Sequence, residues 1–454
     1  MYDDIYTEID KQLEDIRAKI CQCDPMSIML FFKSLNAQSQ IHNSSESEYT
    51  LDENATLRAQ DYVQSVLISL PNYYDPISCL QSDQNKLFNE IHVEFCEIYK
   101  KIPLFYMAWG AKILESGEVD KSIVDNLVEA QGAFGVQGNR YQIFELEPIR
   151  NLLPPHDCIL QELYGITAME IIDGLDKLRY SLSQGYADSW MDIMNEYNQF
   201  CSLIESGIDE DTAMQRASTH MKEITPKVFG ADLNDVQAIT NWNQAFIDAL
   251  SCNIGEYETL YNNSAYSGWP IIDLPVVKKP FITICGKSYA FLYYSLFDNI
   301  YRNIQRMIFS ARNDYVNLWK DKQAAASENM VKDLFEKLLP GAEAYIDNYY
   351  PVKTSKKQMN ENDVLIIYNN YLFIIEVKAG AFPISAPIID FNSHVSAYKN
   401  LVEKVDSQCD RTCNYIESHM PAIFYDHDGN EKLRISKYTT FDEIFTFSVT
   451  VENI

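Results

Sequence analysis

This chain is poor in positive charge. Against 65 Asp and Glu it sets only 37 Lys and Arg, a formal net charge of −28 over 454 residues. Contact with nucleic-acid phosphates relies on Lys and Arg, so most of this surface is excluded as a polynucleotide platform. The deficit is uneven: from Lys320 onward there are 14 basic and 20 acidic residues, a net of −6, which leaves −22 upstream. Long apolar runs are also missing. None reaches the roughly 18 residues that a membrane-spanning helix needs. The 10 cysteines include no Cys-x-x-Cys, and Cys21-x-Cys23 and Cys409-x₃-Cys413 lack partner pairs or nearby His at zinc-finger spacing. Free thiols in a reducing compartment are therefore expected. The opening Met-Tyr-Asp-Asp-Ile is acidic rather than basic, so no signal peptide is expected, and the expected localisation is cytoplasmic. No internal repeat is present. The one glycine cluster, Gly132 to Gly138, lacks the Lys-Ser/Thr of a phosphate loop and comes after a helical pattern; it reads as a turn.

What the chain does have is length and apolar content: 46% hydrophobic residues can fill two or three domains. Residues 1–265 read as one acidic, all-helical region. Ile5, Ile9, Leu13, Ile16 and Ile20 make its first apolar stripe. Its acidity suits a solubilising scaffold, a protein-binding or self-associating part, or a guard over the C-terminal part of the chain. Residues 266–320 read as a hairpin about Gly286-Lys287 plus a connecting helix of roughly 292–320. From 321 to 454 the pattern becomes αβββαβ. Ser327 is the expected N-cap of a helix ending before Pro340-Gly341. The last strand, near Ile444–Val451, closes the chain, either as the final edge or with the natural protein continuing beyond it.

The stretch that organises the chain is Asp363–Lys378. Two apolar, β-branched and aromatic runs flank Asn369-Asn370, a tight hairpin signal because Asn tolerates positive φ. Pairing across that turn sets Tyr368 against Tyr371 and Ile367 against Leu372, and carried outward it sets Asp363 against Glu376. Opposed residues share a face, and Lys378, two residues on, shares it too. Two carboxylates side by side in an apolar setting repel each other and need a cation. Either Lys378 or a divalent metal can supply it; the bland alternative is a strand-capping Asp with a solvated Glu–Lys pair. Mg²⁺ takes oxygen ligands and is usually held by one or two carboxylates plus water and phosphate.

Asp363 together with Glu376-Val377-Lys378 resembles the PD-(D/E)XK nuclease superfamily, the restriction endonuclease-like fold, over about the last third of the chain. No other Glu-x-Lys triplet occurs. Asn362 stands where the motif name has Pro. The resemblance implies an α+β multidomain protein whose C-terminal αβββαβ domain has a mixed sheet and hydrolyses phosphodiester bonds, more readily of DNA than of RNA. Mg²⁺ or Mn²⁺ would be held by Asp363, Glu376 and the Val377 carbonyl. Lys378 would orient or deprotonate the attacking water or hold the phosphate. It further implies a site-facing Glu on the first helix, matched by Glu328 with Glu336 as rival, and a Gln on the helix after the motif, matched by Gln408. Lys353, Lys356 and Lys357 are the phosphate-contact candidates in a polar loop, and His394 reads as a surface residue at a helix start. Defence against foreign DNA is a role such architectures often have. A nuclease-fold module that binds nucleic acid or protein without cutting is the alternative.

Overall fold

The computed structural model describes residues 2–42, 50–117, 120–132, 142–261, 265–271, 274–352, 358–381, 383, 385–419, 421–436 and 441–451. Lys353, Lys356, Lys357 and the glycine cluster beyond Gly132 lie outside these. The protein is mixed α+β, in two compact units: Met1–Leu146 with Cys158–Ala311, and Glu147–Asp157 with Arg312–Ile454.

The first unit is mainly helical. Helix Tyr2–Ile20 buries Ile9, Leu13, Ile16 and Ile20, the inner stripe expected from i, i+4 spacing. Strand is not absent before residue 266: Ser251–Asn253 pairs in parallel with Phe281–Ile284, which forms a hairpin with Lys287–Ala290. That hairpin turns at Cys285 and Gly286, both at positive φ, one residue earlier than expected. It and the helix Tyr293–Ala311 belong to this unit rather than to a separate connector. Among the described residues no helix is long and apolar enough to cross a membrane.

The second unit is where the hairpin of interest lies. Helix α1 spans Val316–Leu338, so Ser327 sits in its middle rather than at its start. The Ser327 hydroxyl donates to the Gln323 carbonyl 2.7 Å away, the back-bonding that lets serine sit inside a helix. Strands β1 (Glu343–Pro351), β2 (Met359–Tyr368) and β3 (Tyr371–Lys378) come next as an antiparallel meander. Helices α2 (Phe391–Tyr398) and α3 (Lys404–Ser418) are joined by one π-helical turn. Strands β4 (Ala422–Tyr425), β5 (Glu431–Ile435) and β6 (Glu443–Thr450) complete a six-stranded sheet in the order β5-β4-β1-β2-β3-β6, with β6 parallel to β3.

Both faces of this sheet are covered. Phe335 of α1 packs its ring near Phe373 and Phe447. Tyr415 and Ile416 of α3 share a core with Leu365, Leu372 and Ile374. Phe373 and Ile374 are neighbours on one strand and so point to opposite faces, which puts α1 and α3 on opposite sides. A strap from far upstream, Glu147–Asp157, completes the unit. Its His156 ring stacks on the buried Trp319 of α1 at 3.6 Å between centroids and 6° between planes.

Candidate active site

The turn at Asn369, with φ of 53°, launches the hairpin. The β2–β3 ladder then runs from Tyr368↔Tyr371 to Val364↔Ile375 in the expected register. There the backbone pairing stops, one step before Asp363 would meet Glu376. Side chains take over the rungs. Asp363 Oδ2 accepts the Val377 N–H at 2.6 Å. Asn362 Nδ2 donates to the Ile375 carbonyl at 3.2 Å and to Glu376 Oε1 at 3.0 Å. The neighbouring β1 is distorted at the same level: Asp347, between the pairs Ile346↔Val364 and Asn348↔Asn362, has φ of 51°. That left-handed conformation is uncommon for any side chain but Gly, Asn or Asp.

The parallel partner β6 settles where the Val377 carbonyl points. Val451 N–H donates to the Lys378 carbonyl at 3.1 Å, so Lys378 turns its backbone toward β6. Val377, the alternate residue, turns its own N–H and C=O the other way, to the edge where Asp363 stands.

Glu376 is fully buried, and its Oε2 has no hydrogen-bond partner. Lys378 Nζ lies 3.7 Å from that oxygen and 3.6 Å from Asp363 Oδ2. These are ion-pair distances but too long for direct hydrogen bonds, so the ammonium balances charge without saturating either oxygen. Burial, then the nearby Asp363 charge, push the Glu376 carboxyl up to about 7, against the opposing pull of the Asn362 hydrogen bond, Lys378 and Arg411.

Glu328 of α1 feels the same site. Burial first, then Asp363, Asp347 and Glu361, push its carboxyl up to about 8, with Lys378 opposing. Its rival Glu336 is exposed and paired with Lys332 at 3.1 Å. Gln408 of α3 is half-buried, with Oε1 enclosed and lacking a partner. Its neighbour Cys409 is held against the Ile374 and Phe447 carbonyls, and burial together with the Glu376 charge pushes that thiol up to about 12. His394 is buried rather than at the surface, and its Nε2 meets the Ser385 carbonyl. Asp390 is the residue that caps that helix, accepting the Ser393 N–H.

Sequence reasoning missed Asp347, Glu361, Arg411 and the role of Asn362. Arg411 lies three residues after Gln408, one helical turn, and that spacing was the available signal. Nothing local marks Asp347, which only the β1–β2 register brings near Asp363, whereas Glu361, two residues before Asp363 on β2, shares its face by strand alternation.

The donors here are hard oxygens: the carboxylates of Asp363 and Glu376, and the Val377 carbonyl. An enclosed carboxylate oxygen that has no hydrogen bond, with only the Lys378 ammonium 3.7 Å away, is what a bound cation would satisfy, so the residues fit Mg²⁺ or Mn²⁺. Among the described residues no three His, Cys, Asp or Glu side chains form a ready cage, so such an ion would draw on the Val377 carbonyl, water and substrate oxygens as well. No protein-family model, curated protein or solved structure matches this chain.

Proposed function

We propose that the second unit is a metal-dependent phosphodiesterase acting on nucleic acid, DNA before RNA, built on the restriction endonuclease-like plan that its motif resembles. One observation carries the reading: carboxylates from two adjacent strands meet at one ammonium, and the buried one keeps an oxygen without a hydrogen bond. The element order α1-β1-β2-β3-α3-β4 agrees with it.

In this reading Asp363, Glu376 and the Val377 carbonyl hold Mg²⁺ or Mn²⁺. When bound, the ion supplies Lewis acidity and neutralises charge on the phosphate. Lys378 Nζ, flanked by both carboxylates, orients the attacking water or holds a phosphate oxygen. Glu328, whose carboxyl burial and the neighbouring carboxylates push up, is the group suited to exchange a proton at the edge of the site. Gln408 offers its free Oε1 to water or ligand. Defence against foreign DNA is the setting we favour, by likeness of architecture alone.

A second reading, a nuclease-fold module that binds nucleic acid or protein without cutting, draws on a separate observation: Asp347 and Glu361 add negative charge where a polyanion would dock. Nicking of supercoiled plasmid with Mg²⁺ separates the two. Wild type is expected to cut, and Glu376→Ala and Lys378→Ala to lose at least about a hundredfold in rate. Equal cutting by all three removes the catalytic assignment. A wild type that binds DNA or RNA but cuts neither favours the binding module.

A further inference from the structure

Asn362 occupies an unusual place. It is fully buried inside a β-strand, where Asn is normally disfavoured. Its side-chain amide donates twice to β3: to the Ile375 carbonyl at 3.2 Å and to Glu376 Oε1 at 3.0 Å. Its backbone is fixed from the other side, since the buried Asn348 donates from Nδ2 to the Asn362 carbonyl at 3.4 Å and to the Tyr345 carbonyl at 2.9 Å. The side-chain nitrogen is thus tied to β3 and the main chain to β1, the amide Oδ1 has no hydrogen bond, and one oxygen of Glu376 is held by that nitrogen. The other, Oε2, has no hydrogen bond and only the Lys378 ammonium 3.7 Å away.

We infer that Asn362 is a positioning residue that makes Glu376 a one-oxygen ligand and so biases the site toward Mg²⁺ and Mn²⁺ over Ca²⁺. The inference rests on the metal-dependent reading above. A carboxylate with both oxygens free can chelate, and Ca²⁺, which takes six to eight oxygens at flexible geometry, exploits that mode. A carboxylate with one oxygen occupied by a neutral donor offers a single ligand, which suits the smaller ion and its octahedral demand. The donor must be neutral. A Lys or Arg at this position would pair with Glu376 and compete with the ion. A Pro would supply no donor at all.

The test uses the full-length protein. Mn²⁺ affinity is read by electron paramagnetic resonance and Ca²⁺ affinity by calorimetry, with no turnover required. Wild type is expected to bind Mn²⁺ in preference to Ca²⁺, and Glu376→Gln to abolish Mn²⁺ binding. Asn362→Leu, nearly isosteric, is expected to lose on the order of tenfold in Mn²⁺ affinity, as outer-shell changes do, while Ca²⁺ affinity holds or rises. Asn362→Ser, which restores a donor, is expected to recover part of the preference. Should Asn362→Leu fail to fold by circular dichroism, Asn362→Ser carries the test, with a Mn²⁺ to Ca²⁺ ratio between wild type and none.

The outcomes separate cleanly. If wild type binds no Mn²⁺, or Glu376→Gln binds it as well as wild type, the metal reading falls and this inference with it. If Glu376→Gln abolishes binding but the Asn362 variants keep the wild-type affinity and ratio, the inference alone is overturned.

Discussion

The Val377 main-chain N–H donates to Asp363 Oδ2 at 2.6 Å, so a side chain replaces a backbone rung where the β2–β3 ladder ends. Asp363 is therefore structural as well as a candidate ligand, and substitutions can tell the two roles apart. Asp363→Asn keeps an acceptor for Val377 and removes the charge. It is expected to fold with near wild-type stability, and to lose Mn²⁺ binding and cleavage. Asp363→Leu leaves the Val377 N–H unpaired and is expected to lose about 1–3 kcal/mol as well. Denaturant melts of the two variants, beside Mn²⁺ titrations, check this.

Lys378 is the cation nearest both carboxylates, with about a quarter of its side chain exposed. Lys378→Met leaves the buried Glu376 without that charge. About 1–3 kcal/mol of stability should be lost, less than for a fully enclosed pair because solvent still reaches the position. Added Mg²⁺ should then raise the melting temperature of Lys378→Met more than that of wild type, because the ion replaces the missing charge. Equal Mg²⁺ effects on the two proteins would contradict this.

Glu376 and Glu328 titrate near 7 and 8 when folded, against 4.5 for a free Glu. The folded chain thus keeps protons that the unfolded chain has already released. Their contribution to stability is greatest below about pH 4.5, falls as pH rises, and levels off above about pH 8. In EDTA the melting temperature of wild type is expected to drop, relative to a Glu328→Gln/Glu376→Gln double variant, between about pH 5 and pH 8. Mg²⁺ should oppose that drop increasingly as pH rises, because it binds the ionised carboxylates. Parallel curves for the two proteins would show that these groups are not linked to folding.

Asp347 holds a left-handed conformation inside a strand, at φ of 51°. Asp347→Gly should stabilise the metal-free protein by up to about 1 kcal/mol, since Gly adopts this conformation without strain and one repelling charge is gone. Asp347→Val, β-branched, should cost about 1–2 kcal/mol. Thermal melts in EDTA decide both. A Gly variant that melts lower than wild type would mean that Asp347 makes a compensating contact.

The hairpin was readable in the sequence because it is local: Asn369-Asn370 and two apolar runs fix the register from Tyr368↔Tyr371 to Val364↔Ile375. The element order of the second unit came from the same periodicities. What could not be read depends on long-range pairing. Asp347 gains its meaning from strand β1 lying beside β2. Ser327 looked like a helix start because serine favours caps, yet its hydroxyl finds the Gln323 carbonyl instead. His394 looked exposed, but the Ser385 carbonyl gives its ring a buried partner.

The strap has a consequence for the order of synthesis. His156 reaches Tyr315 across 159 positions of chain, its Nδ1 3.2 Å from the Tyr315 hydroxyl, and lies flat on Trp319. It leaves the ribosome long before either partner exists, and must wait for an entire other body to be translated before it can dock. A fragment begun at Arg312 would carry the candidate catalytic groups but leave one indole face bare. The C-terminal part should therefore be produced from two co-expressed pieces or a permuted gene, rather than by trimming from the front.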